Sequence, residues 1–418
     1  MSIEPPSRVA ILGAGPVGLE AALYARYLGY DVTVYERGSA ADNVRQWGHV
    51  VMFTPFAMNC STLGRAAIEA QSPGYRFPAE DQLTTGAQWI EAYLKPLAAT
   101  DLVADTLRLH TTVESVGRAG LLKTEAPGSS ARGEVPFQIL LHDTNNKQSW
   151  DMAHIVLDTT GTYGNHNWVG PGGISAIGET TCAAHIEYNV PDVQHTAQEH
   201  YHGQHTLLIG SGFSAATSAV ALAELARNAS DSRVTWITRP RWNPPSADGP
   251  IREIANDRLT QRHRLAAEAN QLSQQTNRLQ YWPDTTLVAM SRDDAKGQFE
   301  VVLEGQHNGR YAFDRIVANV GYRPNRNIYR ELQVHECYAS EGPMQLAAAL
   351  STVASDDCLN QPDHGAETLL NPEPNFFILG SKSHGRGTQA LFQSGLTQIR
   401  DAFSIIQGRH DLDLYKSA

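Results

Sequence analysis

The chain has 418 residues, which is enough for two or three domains with their own hydrophobic cores. Its formal net charge of -11 and pI near 5.8 argue against nucleic acid as the main partner. The sequence has no apolar run of membrane-spanning length and no signal-peptide pattern, so we expect a cytoplasmic protein without a membrane partner. The four cysteines lie far apart and form no C-x-x-C motif, which argues against a zinc ribbon and a local redox dithiol.

The first informative stretch begins with Val9–Leu12, a short apolar run typical of a buried parallel strand. Gly13, Gly15 and Gly18 follow as G-x-G-x-x-G, and a helical segment then continues to Gly29. In this motif the first glycine allows a tight turn, the second lets backbone approach a pyrophosphate, and the third allows close helix packing. The pattern predicts a dinucleotide-binding βαβ unit.

An acid completes this first unit. Val32–Tyr35 is predicted to be the second strand, and Glu36 stands at its carboxyl end, where a ribose hydroxyl needs an acceptor. The aromatic segment Val44–Gly64 follows and has no regular period, so it either lies over a flat ligand or covers the core. Strands are expected at Leu107–Val116, Phe137–His142 and Ile155–Thr160, the last running into Gly161.

The same plan restarts in the second half of the chain. His205–Ile209 is a predicted strand, followed by the sequence GSGFSA, a helix over about 216–226 and a strand at Val234–Thr238. The third glycine of the motif is replaced by Ala215, which the motif permits. A dinucleotide unit present twice predicts an α/β protein with two doubly wound, three-layer domains of the Rossmann type.

The second unit ends in arginine where the first ends in acid. Arg239 and Arg241 follow the strand at Val234–Thr238. A ribose 2′-phosphate pairs with arginine, so we expect NADPH to be preferred over NADH, unless these side chains are simply solvated.

The remaining segments are less regular. Trp242–Pro250 is a proline-rich insertion, and Ile251–Gln275 is expected to be a mostly exposed helix or a lid. Three further strands are expected before residue 321. Near the C-terminus, Phe376–Leu379 is a predicted strand, Gly380–Gly387 a turn, and a helix is expected from Thr388 onward.

In this order, the motifs resemble the flavoprotein superfamily with two dinucleotide-binding domains, which includes flavin monooxygenases and pyridine-nucleotide disulfide reductases. The resemblance implies that the first unit binds FAD, that the second binds NADPH, and that the NADPH domain is inserted into the FAD domain. It implies an FAD domain over 1–168 and 325–418, and an NADPH domain over 169–324 with a helical insertion at about 240–280. The implied cofactor-binding residues are Gly13, Gly15, Pro16, Gly18, Glu36, Arg37, Trp47, Gly161 and Gly380 for FAD, and Gly210, Gly212, Ser214, Ala215, Arg239 and Arg241 for NADPH.

The branch of the superfamily is left open by the sequence. Disulfide reductases carry a redox cysteine pair that is absent here, and the monooxygenase signature between the two glycine motifs is broken at Ile177. Monooxygenation of a small molecule is the leading activity, with hydride passing from NADPH to FAD before oxygen is activated. The alternatives are a reductase or dehydrogenase that acts on a thiol, disulfide or partner protein, and a flavin-binding redox-sensing module without turnover. The assembly, including a homodimer, is left open.

Few side chains are needed for this chemistry, because the cofactors carry it. Asn59 and His384 are the predicted catalytic residues, the second as a group that stabilises reduced flavin. The histidines at 200, 202 and 205 resemble a metal-binding tract, but they lack partners with clear spacing, so no metal site is predicted.

Overall fold

The computed structural model describes residues 3–229, 231–240, 249–275, 279–352, 357–360 and 362–417. The strands are β1 (Arg8–Leu12), β2 (Asp31–Tyr35), β3 (Leu107–Arg108), β4 (Thr111–Arg118), β5 (Phe137–Asp143), β6 (Gln148–Ala153), β7 (Ile155–Asp158), β8 (His205–Ile209), β9 (Arg233–Ile237), β10 (Leu279–Trp282), β11 (Thr285–Asp293), β12 (Gln298–Gly305), β13 (Gly309–Phe313), β14 (Arg315–Ala318) and β15 (Phe376–Ile378). The helices are α1 (Pro16–Tyr27), α2 (Asp42–Arg45), α3 (Thr62–Gln71), α4 (Gly86–Trp89), α5 (Lys95–Ala98), α6 (Asp101–Ala104), α7 (Glu179–Cys182), α8 (Gln198–Tyr201), α9 (Phe213–Asn228), α10 (Thr260–Ser273), α11 (Met344–Ser351), α12 (Phe392–Gln407) and α13 (Leu414–Ser417). Across the described ranges, no helix is both long enough and apolar enough to cross a membrane.

The chain forms two compact units, and the second interrupts the first. The first unit consists of Met1–Gly48, Thr54–Asn165 and Arg323–Ala418, and the second of His49–Phe53 and His166–Tyr322. The predicted fold class, two nested domains built on parallel sheets, is therefore confirmed. The sequence pattern gave no sign that His49–Phe53 belongs to the second unit. The assignment of a nucleotide to each domain stays a prediction.

The first unit is built on a five-stranded parallel sheet in the order β15-β7-β1-β2-β3. β1 lies in the middle, with Ala10 opposite Thr33 of β2 and Val156 of β7. On one face, Ala10 and Leu12 contribute to a core shared with the antiparallel sheet β4-β5-β6. On the other side of the unit, α1 and α12 pack together through the stacked rings of Tyr24 and Phe403, 5.3 Å apart. The unit thus has three layers around one parallel sheet.

The second unit repeats this plan with different residues. Its parallel sheet has the order β10-β9-β8-β14, and its antiparallel sheet is β11-β12-β13. Leu208 of β8 packs with α9 and α10, whereas its neighbours Leu207 and Ile209 pack with the antiparallel sheet. Buried residues on both faces explain why this strand is a continuous apolar run rather than an alternating one.

Several predicted strands are corrected by the structure. The run Leu107–Val116 is two strands, because His110 has a φ of 55° and turns the chain from the parallel sheet into the antiparallel one. β6, β10 and β13 were not predicted. β6 and β13 are sheet-edge strands with mostly exposed side chains, so they lack the apolar alternation on which the prediction depended.

Two predicted helices also differ. The helix expected over Ile251–Gln275 begins only at Thr260, and the final helix begins at Phe392 rather than Thr388. α10 is not a mostly exposed helix, because Ala266, Ala269 and Leu272 are buried in a core shared with α9. Small residues on this face let the two helices approach closely, which lowers the apolar signal in the sequence. Most of the predicted insertion Trp242–Pro250 lies outside the described residues.

A buried ion triad links the segment just before β15 to β4 of the antiparallel sheet. The Glu373 carboxylate accepts hydrogen bonds from Arg118 at 2.7 Å and from Arg132 at 3.0 Å, and all three side chains are fully buried. Glu373 also accepts a backbone hydrogen bond from Gln333 at 2.7 Å. Removing one partner of such a cluster leaves a buried charge uncompensated, so the cluster fixes this part of the fold.

A second buried acid lies on α1. Glu20 is fully buried and accepts hydrogen bonds from the hydroxyls of Ser61, at 2.9 Å, and of Tyr93. The Tyr415 hydroxyl of α13 lies 3.5 Å from the same carboxylate. Burial raises the pKa of Glu20 to about 7, while its three hydroxyl partners act in the opposite direction.

This raised pKa predicts a pH-dependent stability that Glu20→Gln removes. The folded protein retains the Glu20 proton up to about pH 7, whereas the unfolded chain releases it near 4.5, so stability falls as pH rises through this window. The shift corresponds to at most about 3 kcal/mol. We expect Glu20→Gln to gain stability relative to wild type between pH 4.5 and 8, measured by urea unfolding. Glu69→Gln, at an exposed position of α3, is the control and should follow wild type; parallel curves for all three proteins would contradict the prediction.

Candidate functional site

The glycine loop between β1 and α1 is held by close backbone packing. A Cβ atom at Gly18 would lie 1.9 Å from the Gly13 carbonyl oxygen and 2.7 Å from Thr159 Oγ1, so only glycine fits there. Thr159, just after β7, donates hydrogen bonds to the carbonyls of Leu12, at 2.8 Å, and of Gly13, at 3.0 Å. By contrast, a Cβ at Gly15 would meet no atom within 4 Å. The loop is therefore packed tightly from behind and open at Gly15.

Glu36 lies at the carboxyl end of β2, next to this loop. Its carboxylate accepts hydrogen bonds from the backbone of Ala14 at 2.8 Å and of Gly38 at 2.9 Å. These bonds fix the acid beside the glycine loop, where Glu36 also lines the adjoining cavities.

We call these two neighbouring cavities, of about 190 and 150 Å³, the glycine-loop cleft. Both belong to the first unit, and they share the lining residues Gly13, Glu36, Asn43, Thr160 and Gly161. The larger part has aromatic walls, formed by Trp47, Trp89, Tyr163 and Phe392. The smaller part is lined by the start of β4 and by Tyr35, Arg37 and Asn165. The cleft lies at the carboxyl ends of the parallel strands, where open α/β sheets bind their ligands.

One polar group in the cleft lacks a partner. The indole N–H of Trp47 is buried and makes no hydrogen bond to the described residues, although Trp47 lines the cleft. A buried N–H donor without an acceptor costs free energy. A ligand atom that accepted this hydrogen bond would therefore stabilise the site. The Trp47 and Tyr163 rings lie 6.3 Å apart.

The far end of the cleft is formed by the turn after β15. Gly380 and Ser381 line it, and the Gly380 N–H donates to Gln398 of α12 at 2.7 Å. A Cβ at Gly380 would approach Val17 to 3.1 Å, and a Cβ at Gly161 would lie 3.4 Å from Ser381 Oγ. The predicted residues Gly161 and Gly380 are thus brought together with the glycine loop.

This turn is fixed by a buried ion pair that the sequence analysis missed. Lys382 Nζ donates to Asp158 Oδ2 at 2.6 Å and to Thr160 Oγ1 at 2.8 Å, and both charged side chains are fully buried. Asp158 also accepts from the Thr160 backbone and hydroxyl. A signal was present in the sequence, since Asp158 ends a strand at the edge where ligands bind.

The predicted catalytic residues are not among those lining the cleft. The Asn59 amide donates to the carbonyls of Thr54, at 3.0 Å, and of Pro55, at 2.9 Å, so this buried side chain holds its own loop. His384 is 7% exposed and faces a different cavity. The catalytic roles of both residues stay predictions.

The different cavity, of about 350 Å³, adjoins the cleft, because Leu391 lines both. We call it the α12 cavity. Its lining includes His364, His384, Gln393, Thr397 and Asp401, three of them on α12. Burial lowers the pKa of His384.

Two of the four cysteines are enclosed in the structure. Cys60 and Cys182 are buried, and neither forms a disulfide. Burial raises the pKa of Cys60 to about 11, so its reactive thiolate form is scarce at neutral pH. In the parts of the chain that the structure describes, no cluster of His, Cys, Asp or Glu is arranged to hold a metal ion.

The second glycine loop, in the second unit, has the same packing as the first. A Cβ at Gly210 would lie 2.3 Å from the Asn319 carbonyl oxygen, and α9 begins immediately after Gly212. Ala215 is fully buried, whereas Ser214 and Arg239 are exposed. The guanidinium of Arg239, just past the end of β9, makes no ion pair with any described residue. The predicted residue Arg241 lies outside the described residues.

Comparisons with known proteins agree with this fold. The family described as pyridine nucleotide-disulphide oxidoreductase matches residues 8–43, and no curated protein matches the chain. Bacillithiol disulfide reductase Bdr from Bacillus cereus is 16% identical over 97% of this chain and 99% of its own, with a TM-score of 0.65. The cadaverine monooxygenase DfoA from Erwinia amylovora, solved bound to FAD, is 15% identical over 97% and 95%, with a TM-score of 0.64. Ornithine hydroxylase PvdA from Pseudomonas aeruginosa is 12% identical over 96% and 99%, with a TM-score of 0.62.

The packing of the two glycines predicts opposite effects of alanine. Gly18→Ala should lower the thermal unfolding midpoint, because the added methyl group collides with the backbone of Gly13. Gly15→Ala should leave the midpoint of the ligand-free protein close to wild type, since its methyl group points into open space. Thermal unfolding followed by circular dichroism distinguishes them, and equal losses in both variants would contradict the packing described here.

The two units, each with a parallel sheet and a tightly packed glycine loop, agree with the structures that this chain resembles over nearly its whole length. The resemblance inferred from the sequence motifs is confirmed at the level of the fold. The chain has the fold of the flavoprotein superfamily with two dinucleotide-binding domains.

Proposed function

We propose that this protein is an FAD-dependent, NADPH-using oxidoreductase, and that its leading activity is monooxygenation of a small molecule at nitrogen, sulfur or carbon. The observation that carries the proposal is the glycine-loop cleft, which combines an open Gly15, a fixed acid and an unpartnered indole N–H. When bound, FAD would accept a hydride and pass its electrons to oxygen or to another acceptor.

The residues of the cleft fit an FAD molecule by their chemistry. The backbone at Gly13 and Gly15, with Pro16 at the start of α1, would hold the pyrophosphate at a helix N-terminus. Glu36 would accept from a ribose hydroxyl, with Arg37 beside it. The aromatic wall would cover the apolar rings, and the Trp47 N–H would donate to a ligand acceptor.

The second unit would hold NADPH in the same manner. Gly210, Gly212 and Ser214 lie at the N-terminus of α9, where backbone N–H groups meet a pyrophosphate. The Arg239 guanidinium would pair with the 2′-phosphate.

Two observations bear on the choice between monooxygenase and reductase. The similarity to Bdr and to the thioredoxin reductase of T. acidophilum, which is 16% identical with a TM-score of 0.56, favours a reductase of thiols or disulfides. The cysteines argue against it, because the sequence has no C-x-x-C pair and burial raises the pKa of Cys60. Oxygen is an acceptor that needs no protein thiol, so monooxygenation remains first and reduction of a disulfide second.

The test begins with the purified protein, mixed with NADPH without oxygen and then exposed to air. We expect a yellow protein that NADPH bleaches and air restores. A substrate of the monooxygenase would lower the yield of hydrogen peroxide per NADPH consumed. Reduction of a disulfide such as glutathione disulfide without oxygen would support the reductase instead. A colourless protein that takes up no FAD would overturn the whole proposal.

The NADPH preference gives a more specific prediction. Arg239→Ala should raise KM for NADPH about tenfold or more while leaving KM for NADH unchanged, since a charge-assisted bond to the 2′-phosphate is lost. Steady-state oxidation of both nucleotides measures this. Arg233→Ala removes an exposed arginine from the opposite end of β9 and should change neither constant. An equal effect of Arg239→Ala on both nucleotides would contradict the assignment.

A further inference from the structure

The α12 cavity has a lining that no part of the cofactor chemistry explains. Gln393, Thr397 and Asp401 line it from one face of α12, at intervals of four residues. Apolar side chains complete the walls, among them Leu346 of α11 and Leu369. Its volume of about 350 Å³ falls within the range of small-molecule sites, roughly 300–1,000 Å³.

The lining is acidic. Among its described residues are two carboxylates, Asp363 and Asp401, and no lysine or arginine. Arg400 lies behind the wall and binds Asp401 at 2.7 Å and Asp363 at 3.2 Å. It also lies 3.9 Å from Asp413, which does not line the cavity and lies 3.5 Å from Lys416. The two lining carboxylates therefore share one guanidinium, which leaves an excess of negative charge on the described cavity wall.

The two carboxylate oxygens of Asp401 differ in their hydrogen bonds. This residue is 7% exposed, and its Oδ1 atom takes both hydrogen bonds from Arg400, at 2.9 and 2.7 Å. Its Oδ2 atom makes no hydrogen bond to the described residues. The side chain as a whole is mostly shielded from water, so a donor on a bound molecule would stabilise this oxygen.

His384 offers a second acceptor. The Ser383 hydroxyl donates its single proton to the Gly380 carbonyl at 2.7 Å. His384 Nδ1 lies 3.3 Å from the same carbonyl and 3.2 Å from that hydroxyl oxygen, so Nδ1 must carry the proton and donate. The neutral ring then presents Nε2 as an acceptor, and this atom has no partner among the described residues. His364 Nε2 is likewise buried without a partner there.

We propose that the α12 cavity binds a primary amine with a short apolar body. Its ammonium group would donate to Asp401 Oδ2, with His384 Nε2 as a further acceptor, while its hydrocarbon chain packs against Leu346, Leu369 and Leu391. An ammonium brings the positive charge that this lining lacks, and its N–H groups can serve several acceptors at once. A carboxylate of the same size would meet Asp401 with like charge.

The amine would be the substrate of the oxidoreductase. That role rests on the proposed function, because Leu391 separates this cavity from the cleft assigned to FAD. Binding of the amine is independent of turnover, so it can be tested separately.

The experiment uses the full-length protein as purified and compares hexylamine, hexan-1-ol and hexanoate by isothermal titration calorimetry. We expect hexylamine to bind, and the alcohol and the acid to bind at least about tenfold more weakly, since each lacks the charge-assisted bond. Asp401→Asn should weaken hexylamine about tenfold or more while changing hexan-1-ol little.

Asp413→Asn is the matched control. It makes the same chemical change at another carboxylate near Arg400, but Asp413 does not line the cavity. Hexylamine binding should stay within about twofold of wild type. Thr397→Phe fills the cavity without altering its charge and should abolish binding of hexylamine, which keeps the test decisive if Asp401→Asn fails to fold.

The outcomes separate this inference from the proposed function. Hexanoate or hexan-1-ol binding as tightly as hexylamine, or hexylamine binding unaffected by Thr397→Phe, would overturn the amine site. The same holds if wild type binds no hexylamine. A protein that is bleached by NADPH yet binds no amine keeps the proposed function and loses this inference. A protein that binds hexylamine through Asp401 yet takes up no FAD keeps the amine site, although its role as a substrate site falls.

Discussion

The buried ion pair between Asp158 and Lys382 is the constraint on which the glycine-loop cleft depends. Two charges placed out of water cost several kcal/mol each unless their geometry and further hydrogen bonds compensate them. Here the lysine reaches Asp158 at 2.6 Å and Thr160 at 2.8 Å. These bonds connect the turn after β15 to the end of β7. The two strands β15 and β7 pair directly in the sheet. Gly380 and Ser381 therefore face the cleft, while His384, two residues beyond the lysine, faces the α12 cavity.

The two glycine loops constrain the structure in a different way, because they have no side-chain atoms where the backbone packs closely. At Gly18 and Gly210 a single methyl group would collide with backbone at 1.9 and 2.3 Å, so strand and helix meet at a distance that other residues do not permit. In both units this brings a helix N-terminus to the carboxyl edge of the sheet. At such an edge a protein contributes orientation, while a bound cofactor would contribute reactivity.

These short-range features are the ones that could be predicted from the sequence. The glycine spacing, Glu36 and the apolar runs of β1 and β8 each follow from local rules, and in the first unit the structure places the glycine loop and Glu36 together as expected. The edge strands β6 and β13 were missed because their exposed faces carry no apolar pattern. The position of Asp158 at the end of a strand was a signal, but the roles of Lys382 and Asp401 could not be predicted. A charged residue is usually solvated, and only the fold shows that these are buried.

The C-terminal segment from β15 through α12 lines both the glycine-loop cleft and the α12 cavity. Its backbone at Gly380 and Ser381 lines the glycine-loop cleft, whose glycine pattern is recognisable in the sequence. Its side chains, among them Asp401 and His384, line the α12 cavity. Cavity residues of α12 can change while Gly380 and the ion pair stay fixed, because they lie on different parts of this segment. One fold hosts many reactions, so the glycine motifs of this chain indicate its fold and leave its substrate open.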